Sequence, residues 1–447
     1  MNKYLKIKTI GLIFFICLVQ TSLLCSQGNQ FERIEISSSP NPVGSGARAL
    51  GMGGAFIAVA DDATSASWNP GGLIQLEFSE ISLVLGQINR KEGNYFSNHP
   101  EANSTETSND FHINYFSMAY PFVMNGHNAI FSINYQHLYS FKRQWDFDFN
   151  HPNPQFEWPM KIDFEQDGSL FALGIAFCTE ITPELTVGIT FNIWDDFLYD
   201  NEWEQKQNID GEIIGNGAKG SYNIFAQDKY SHQGINANLG LLWRITSKWT
   251  LAGVIKLPFK ANIDHQMHVN INTVYYQNTG TDVHTVENET YEEHLYMPLS
   301  YGIGLMYRLS DNFTISGDLY RTHWDGFKYE NRHGQKTSPI SGMDMDASDI
   351  DPTTWFRIGA EYIKIGKQFA IPFRAGLFYD PAPSEGSPDS YYGFSLGSGL
   401  GFKNYIFDIA YQFRTGNDAG DSMLKNLNFS QDIREHTLYA SMIYHFY

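Results

Sequence analysis

The sequence predicts an all-β protein: a single transmembrane antiparallel β-barrel of about fourteen strands, with an N-terminal hatch as a plug inside the lumen. Three observations predict it. Apolar and polar residues take turns along stretch after stretch, the connections alternate between short and long, and a glycine-rich segment stands ahead of the first stretch. Composition agrees, because 33 Phe, 26 Tyr and 9 Trp accompany only 18% charged residues in 447, an unusual balance for a soluble chain.

The first element is a leader. Lys3, Lys6 and Lys8 precede an apolar run from Ile10 to Val19, and smaller residues follow to Ser26, so residues 1–26 read as a secretory signal. No clean small-x-small site fixes the cleavage point, and Leu23-Leu24-Cys25 only faintly resembles a lipoprotein site. The run is too short to span a bilayer as a retained helix. Losing the three leader lysines takes the formal charge from −19 to about −22, which argues against nucleic acid as a partner. Cys17 and Cys25 fall in the leader, leaving Cys178 alone, so neither a disulfide framework nor a cysteine metal site is expected. No later run of 18 apolar residues offers a membrane helix. A periplasmic β protein and an outer-membrane barrel remain.

Period-two alternation separates them, since a strand bathed in lipid must be apolar at every second residue. Tyr405, Phe407, Ile409, Tyr411 and Phe413 interleave with Ile406, Asp408, Ala410, Gln412 and Arg414. Tyr301, Ile303, Leu305 and Tyr307 repeat the pattern, with tyrosines where the two membrane interfaces would fall. So do Ile235–Trp243, Phe369–Tyr379 and Leu185–Ile193. Such segments begin near residues 80, 111, 128, 169, 184, 232, 249, 296, 313, 354, 369, 391, 404 and 433. Short turns such as Met124–His127, Thr246–Lys248, Ser310–Asn312, Gly366-Lys367 and Lys403-Asn404 alternate with long polar loops near 90–110, 150–168, 198–231, 271–295, 325–352, 380–390 and 414–432. Sorting by parity suits a barrel with short periplasmic turns and long outer loops, and a soluble sandwich has no cause for it. The last stretch ends Tyr444-His445-Phe446-Tyr447, with an aromatic terminus resembling the strand by which bacterial barrels are recognised for assembly.

The domain division follows: 1–26 signal, 27–78 hatch, 79–447 barrel. A tube of about fourteen strands is too wide for side chains alone to fill, and the glycine-rich segment is the natural plug. Its Gly51, Gly53, Gly54, Gly71 and Gly72 permit close packing and positive φ, and the row Gly393, Ser395, Gly397, Gly399, Gly401 offers a smooth inner wall.

"GARALGMGGAFIAVADDATSASWNPGGL" resembles the hatch of the FadL/TodX family of outer-membrane hydrophobic-compound transporters. "YMPLSYGIGLMYRLSDNFTISGDLYRTHWDGF" (296–327) and "TTWFRIGAEYIKIGKQFAIPFRAGLFYDPAP" (353–383) resemble two of its hairpins, while roughly 140–290 matches in strand layout only. The family's Asn-Pro-Ala turn is here Asn69-Pro70-Gly71, which keeps the turn and loosens it.

That resemblance implies passive uptake of long-chain fatty acids or other hydrophobic small molecules, with Asn69, Pro70 and Gly71 against the ligand or its exit route; a plain turn closing the hatch is the other reading. Asp61 and Asp62 are expected either to tether the hatch to Arg357 or Arg374, or to be solvated loop acids. Arg308, Arg357, Glu361 and Arg374 are expected on inward faces, where an arginine suits a carboxylate ligand and equally a structural ion pair. Phe147, Phe149, Phe156, Trp158, Phe197, Tyr199 and Trp203 suggest an outer greasy groove, or belt residues.

Asp344, Asp346, Asp349 and Asp351 have the oxygen ligands for calcium but lack the glycine and closing glutamate of an EF-hand loop. His265 and His268 fall on opposite strand faces, so no metal site is expected, nor any cofactor or catalytic residue. The expected setting is the outer membrane of a Gram-negative bacterium, as a monomer among outer-membrane lipid and lipopolysaccharide. A docking adaptor for exported proteins in a secretion system is the alternative to uptake; a lipid-active enzyme is the third.

Overall fold

The computed structural model describes residues 44–152, 156–196, 201–215, 217–421, 423–424 and 427–446. The expected leader and the hatch residues 27–43 lie outside the described residues, as do the side chains of Phe156, Trp158, Phe197 and Tyr199.

The described chain opens with β1 (Ser79–Phe96), β2 (Ser104–Met124), β3 (His127–Ser140), β4 (Arg143–Pro152) and β5 (Phe156–Thr182). Next come β6 (Leu185–Trp194), β7 (Glu202–Gly215), β8 (Ala218–Arg244), β9 (Trp249–Lys256) and β10 (Phe259–Tyr275). After them run β11 (Val283–Met297), β12 (Ser300–Ser310), β13 (Phe313–Thr322), β14 (Lys328–Glu330) and β15 (Lys336–Thr337). The last five are β16 (Thr353–Ile365), β17 (Phe369–Tyr379), β18 (Tyr391–Phe402), β19 (Tyr405–Ala419) and β20 (Phe429–Phe446).

Fourteen of these close a barrel in the order β1, β2, β3, β5, β6, β8, β9, β12, β13, β16, β17, β18, β19, β20, all antiparallel. β20 pairs back onto β1 from Ser79 opposite Phe446 to Phe96 opposite Phe429, so the sheet has no free edge. Every stretch expected to span is a barrel strand. Its surface inverts the soluble rule: Phe407, Ile409, Ile303, Leu305 and Ile235 are exposed, whereas Ser82, Ser117, Asn134, Thr190 and Asn238 are buried inside. Hydrocarbon outside and a polar lumen account for both rows.

The outer connections differ from expectation. The stretches expected as polar loops at 150–168, 198–231 and 271–295 are largely strand, and β4, β7, β10, β11, β14 and β15 join the outer ends of β5 and β8 in a second sheet. β5 and β8, each 27 residues long, far exceed the roughly 9–11 residues that cross a bilayer. Above the membrane both strand faces meet water or protein, so composition there reads as loop although the backbone ladder continues.

Beneath that sheet lies an aromatic core. Phe96, Trp145, Phe147, Phe149, Phe164 and Phe429 form one cluster, and Phe141, Trp194, Trp203, Tyr230, Trp324 and Phe327 belong to another. Phe147 and Trp203 are therefore core and not a surface groove, and Phe149, also buried, only lines the floor of one: Trp203 is fully buried between Phe141 at 4.9 Å and Tyr230 at 4.8 Å.

Candidate functional site

The hatch is a chain of tight turns. Helix α1 (Ala47–Gly51) gives way to Gly53 and Gly54 at φ of 68° and 74°, a left-handed pair that folds the chain back after barely one helical turn. A second one-turn helix, α2 (Ser65–Trp68), leads into a 3-10 turn over Pro70–Gln75, with proline where a missing N–H costs nothing. Trp68 holds the fold together, donating from Nε1 to Ser45 O at 2.7 Å and meeting Phe56 edge-on at 5.7 Å.

The Asn69-Pro70-Gly71 turn docks on the wall. Asn69 accepts from Gly71 N at 3.0 Å and donates to Ile57 O and to Leu241 O of β8, each at 3.0 Å. Thr186 of β6 donates to Gly71 O at 2.8 Å. A Cβ on Gly71 would meet the Gly240 backbone at 3.0 Å, so glycine at the third position buys close approach more than looseness. On the far wall, Ser395 accepts from Gly53 N at 2.8 Å and donates to Gly51 O at 3.1 Å. Gly51 faces Gly397 and Gly53 faces Gly376, so the small-residue wall is the plug's cradle.

Charge fixes the rest. Arg48 donates to both oxygens of Glu361, from Nε at 3.0 Å and Nη2 at 2.8 Å, and also pairs with Asp61. Glu361 accepts in turn from Arg374 Nε at 2.5 Å, and Arg374 Nη1 reaches Asp408 at 2.6 Å. Asp318 accepts from Phe56 N at 2.7 Å and Ile57 N at 2.9 Å. The expected tether from Asp61 and Asp62 to Arg357 or Arg374 is thus corrected: the acids face Arg48 of their own hatch, with Asp62 at 3.8 Å, and Arg48 makes the bond to the wall. Arg357 lies over Trp355 at 4.1 Å and donates to Gly53 O at 3.4 Å. Arg308 stands apart, exposed near the Ser310–Phe313 turn. Arg48 was missed by sequence reasoning, although it is the one basic side chain of the quoted hatch segment.

Above the hatch, Glu92 accepts from Arg90 at 2.6 Å and from Arg143 at 3.2 Å, while Arg414 lies 3.3 Å from Asp380. These lumen arginines already have carboxylate partners within the chain. Among the described residues, cavities adjoin the hatch level. One of about 50 Å³ lies among Gln136, Asn192, Trp194, Lys256 and Tyr320. Another, about 110 Å³, lies between Gly44, Gly54 and Trp68 on the plug and His112, His137 and Arg357 on the wall. A groove of about 620 Å³ sits instead in the outer sheet, lined by Glu101, Asp148, Asp210, Glu212, Lys161 and Tyr222 among others.

The acids at 344–351 do not converge; Asp344, for one, accepts from Gln335. His265 and His268 part as expected, His265 to Asp228 and Glu293, His268 to Asn288. Asp110, His112 and His137 do converge, a cluster whose signal was an acid and a histidine two apart on one strand.

Barrel, inner hatch and polar lumen define the class: a plugged β-barrel of the FadL/TodX-like outer-membrane type. A family model described as BamG matches residues 50–421. The chain belongs to the BamG family, itself FadL-like. In structure it is similar to a Pseudomonas aeruginosa FadL homologue at 12% identity and a TM-score of 0.61, covering 90% of this chain and 99% of that one. The Pseudomonas putida toluene transporter TodX aligns at 13% identity and 0.57, over 91% and 100% of the two chains. The CymD monoaromatic hydrocarbon channel aligns at 14% and 0.52, over 91% and 99%. Among curated proteins, none matches this sequence.

Proposed function

We propose that this chain is a sealed outer-membrane barrel that docks exported proteins on its outer face. What carries the reading is the contrast between lumen and exterior. Two cavities among the described residues at hatch level, about 50 and 110 Å³, fall below the roughly 300–1,000 Å³ of a site for a drug-sized ligand. The 620 Å³ groove is outside, lined by four carboxylates, by Phe149, Pro159 and Met160, and by Lys161, which is itself held by Asp146 at 3.0 Å and Asp163 at 3.1 Å. The carboxylates repel a fatty-acid anion, and the mixed acidic and apolar lining suits a basic protein surface.

The second reading is passive uptake of long-chain fatty acids or other hydrophobic molecules. It is favoured by the barrel-and-hatch plan shared with a toluene transporter and a monoaromatic hydrocarbon channel. Either reading takes 1–26 as a leader removed on export, 27–78 as hatch and 79–447 as a Gram-negative outer-membrane barrel without enzymatic chemistry.

Isolation of the full mature chain from native membranes in mild detergent separates the two. Docking expects a stoichiometric exported or outer-membrane protein on native gels, and unchanged uptake of labelled oleate in cells lacking the gene. A solitary chain carrying fatty acid, with uptake lost on deletion, overturns it.

A further inference from the structure

We propose that Asp110, His112 and His137 bind a divalent transition-metal ion of the zinc class on the lumen wall. This rests on three side chains and one cavity, independently of the docking reading. Asp110 and His112 are two apart on β2 and so share a face, and His137 arrives from the neighbouring β3. One ligand atom from each lies within 4.8 Å of the other two. Asp110 Oδ2 stands 3.3 Å from His112 Nδ1, matching the edge of about 3.3 Å in a tetrahedron with metal–ligand bonds of roughly 2.0–2.1 Å.

Burial makes the cluster costly without a partner. The side chain of His112 is 9% exposed and His137 is 8% exposed. Nε2 of His112 and Nε2 of His137 are buried without a hydrogen-bond partner, while Nδ1 of His112 and Oδ2 of Asp110 face each other at 3.3 Å. A buried polar atom without a partner is destabilising, and a single cation would engage one lone pair on all three residues. Stacking of the two imidazoles, 4.0 Å between centroids, holds the rings in place but satisfies none of these atoms. The surroundings are shaped for the rings: Phe171 backs His137 at 5.1 Å, and a Cβ on Gly86 would meet His112 Nε2 at 2.7 Å.

Two imidazoles and one carboxylate suit zinc and its late first-row neighbours, whereas magnesium and calcium prefer oxygen alone. Both histidines line the 110 Å³ cavity, which leaves room for the water that would complete the coordination shell. The site is thus of the open kind, with three protein ligands and its free side toward the hatch.

The test uses the full mature chain in detergent with a histidine-free tag, stripped by a chelator and titrated calorimetrically with zinc chloride, then with cobalt(II) for its visible spectrum. The proposal expects one zinc per chain and the intense absorption of low-coordinate cobalt. His112→Ala and His137→Ala should each weaken zinc binding at least about tenfold, while His265→Ala should not. Heat-modifiable migration on gels confirms folding of each variant; should an alanine variant fail it, the near-isosteric Asp110→Asn supplies the comparison. Wild-type binding no tighter than in these variants, or a cobalt spectrum identical to that of the aqueous ion, overturns the proposal.

Discussion

Glu361 shows how much one lumen residue carries: it accepts from Arg48 of the plug and from Arg374 of the wall, joining two parts of the chain more than 300 positions apart. His265 plays a comparable part in the outer sheet. It stacks on Tyr230 at 4.3 Å and contacts Asp228 at 2.8 Å and Glu293 at 2.9 Å. Burial alone would lower its pKa, but these two carboxylates outweigh burial and raise it from 6.5 to about 9. The raised value means that its contribution, at most about 3 kcal/mol, is complete below pH 6.5 and disappears as pH rises through 9. Hydrogen exchange along β8 and β10, corrected for intrinsic rates, should therefore show protection falling between pH 6.5 and 9, and His265→Gln should flatten that fall. Equal protection across the range in the wild type refutes the assignment. Single residues were only partly legible in the sequence. Glu361 and Arg374 followed from strand parity, whereas the pairing of Asp61 with Arg48 depended on how the plug turns back upon itself.

At the scale of elements, the plug fits because both surfaces are small. A Cβ on Gly376 of β17 would collide with Gly53 N and Met52 C, and one on Gly359 of β16 with Met52 O. Gly376→Val should displace the plug while leaving the barrel closed. In that background Ala55→Cys, at a position with 0% exposure, should become open to maleimide, with migration on gels still heat-modifiable. A thiol that stays unreactive at this position would show that the cradle tolerates the added bulk. The spanning strands were legible because lipid on one side and lumen on the other impose period two. The outer sheet was not: neither of its faces meets hydrocarbon, so β11 carries mostly polar residues and β7, although Trp203, Gln205, Ile209 and Ile213 alternate with charged residues, is polar enough to read as loop.

The whole molecule is a cylinder with the hatch packed across its lumen and aromatic clusters beneath the outer sheet, which on the proposed reading seal it. Planar-bilayer recordings of the wild type should show no steady open-pore conductance. Glu361→Gln takes the carboxylate from between Arg48 and Arg374, where breaking a buried pair costs about 3–5 kcal/mol, and should produce transient openings. A large steady current through the wild type would contradict the seal. The sequence by itself determined the barrel's strand count, the lipid-facing rows and the presence of a plug, since each is written locally as a period, a turn or a run of glycine. Only the tertiary structure decided which charges pair, that the outer connections form a sheet, and that Asp110, His112 and His137 meet. Those depend on which lumen faces closure brings opposite one another, and no local pattern encodes that.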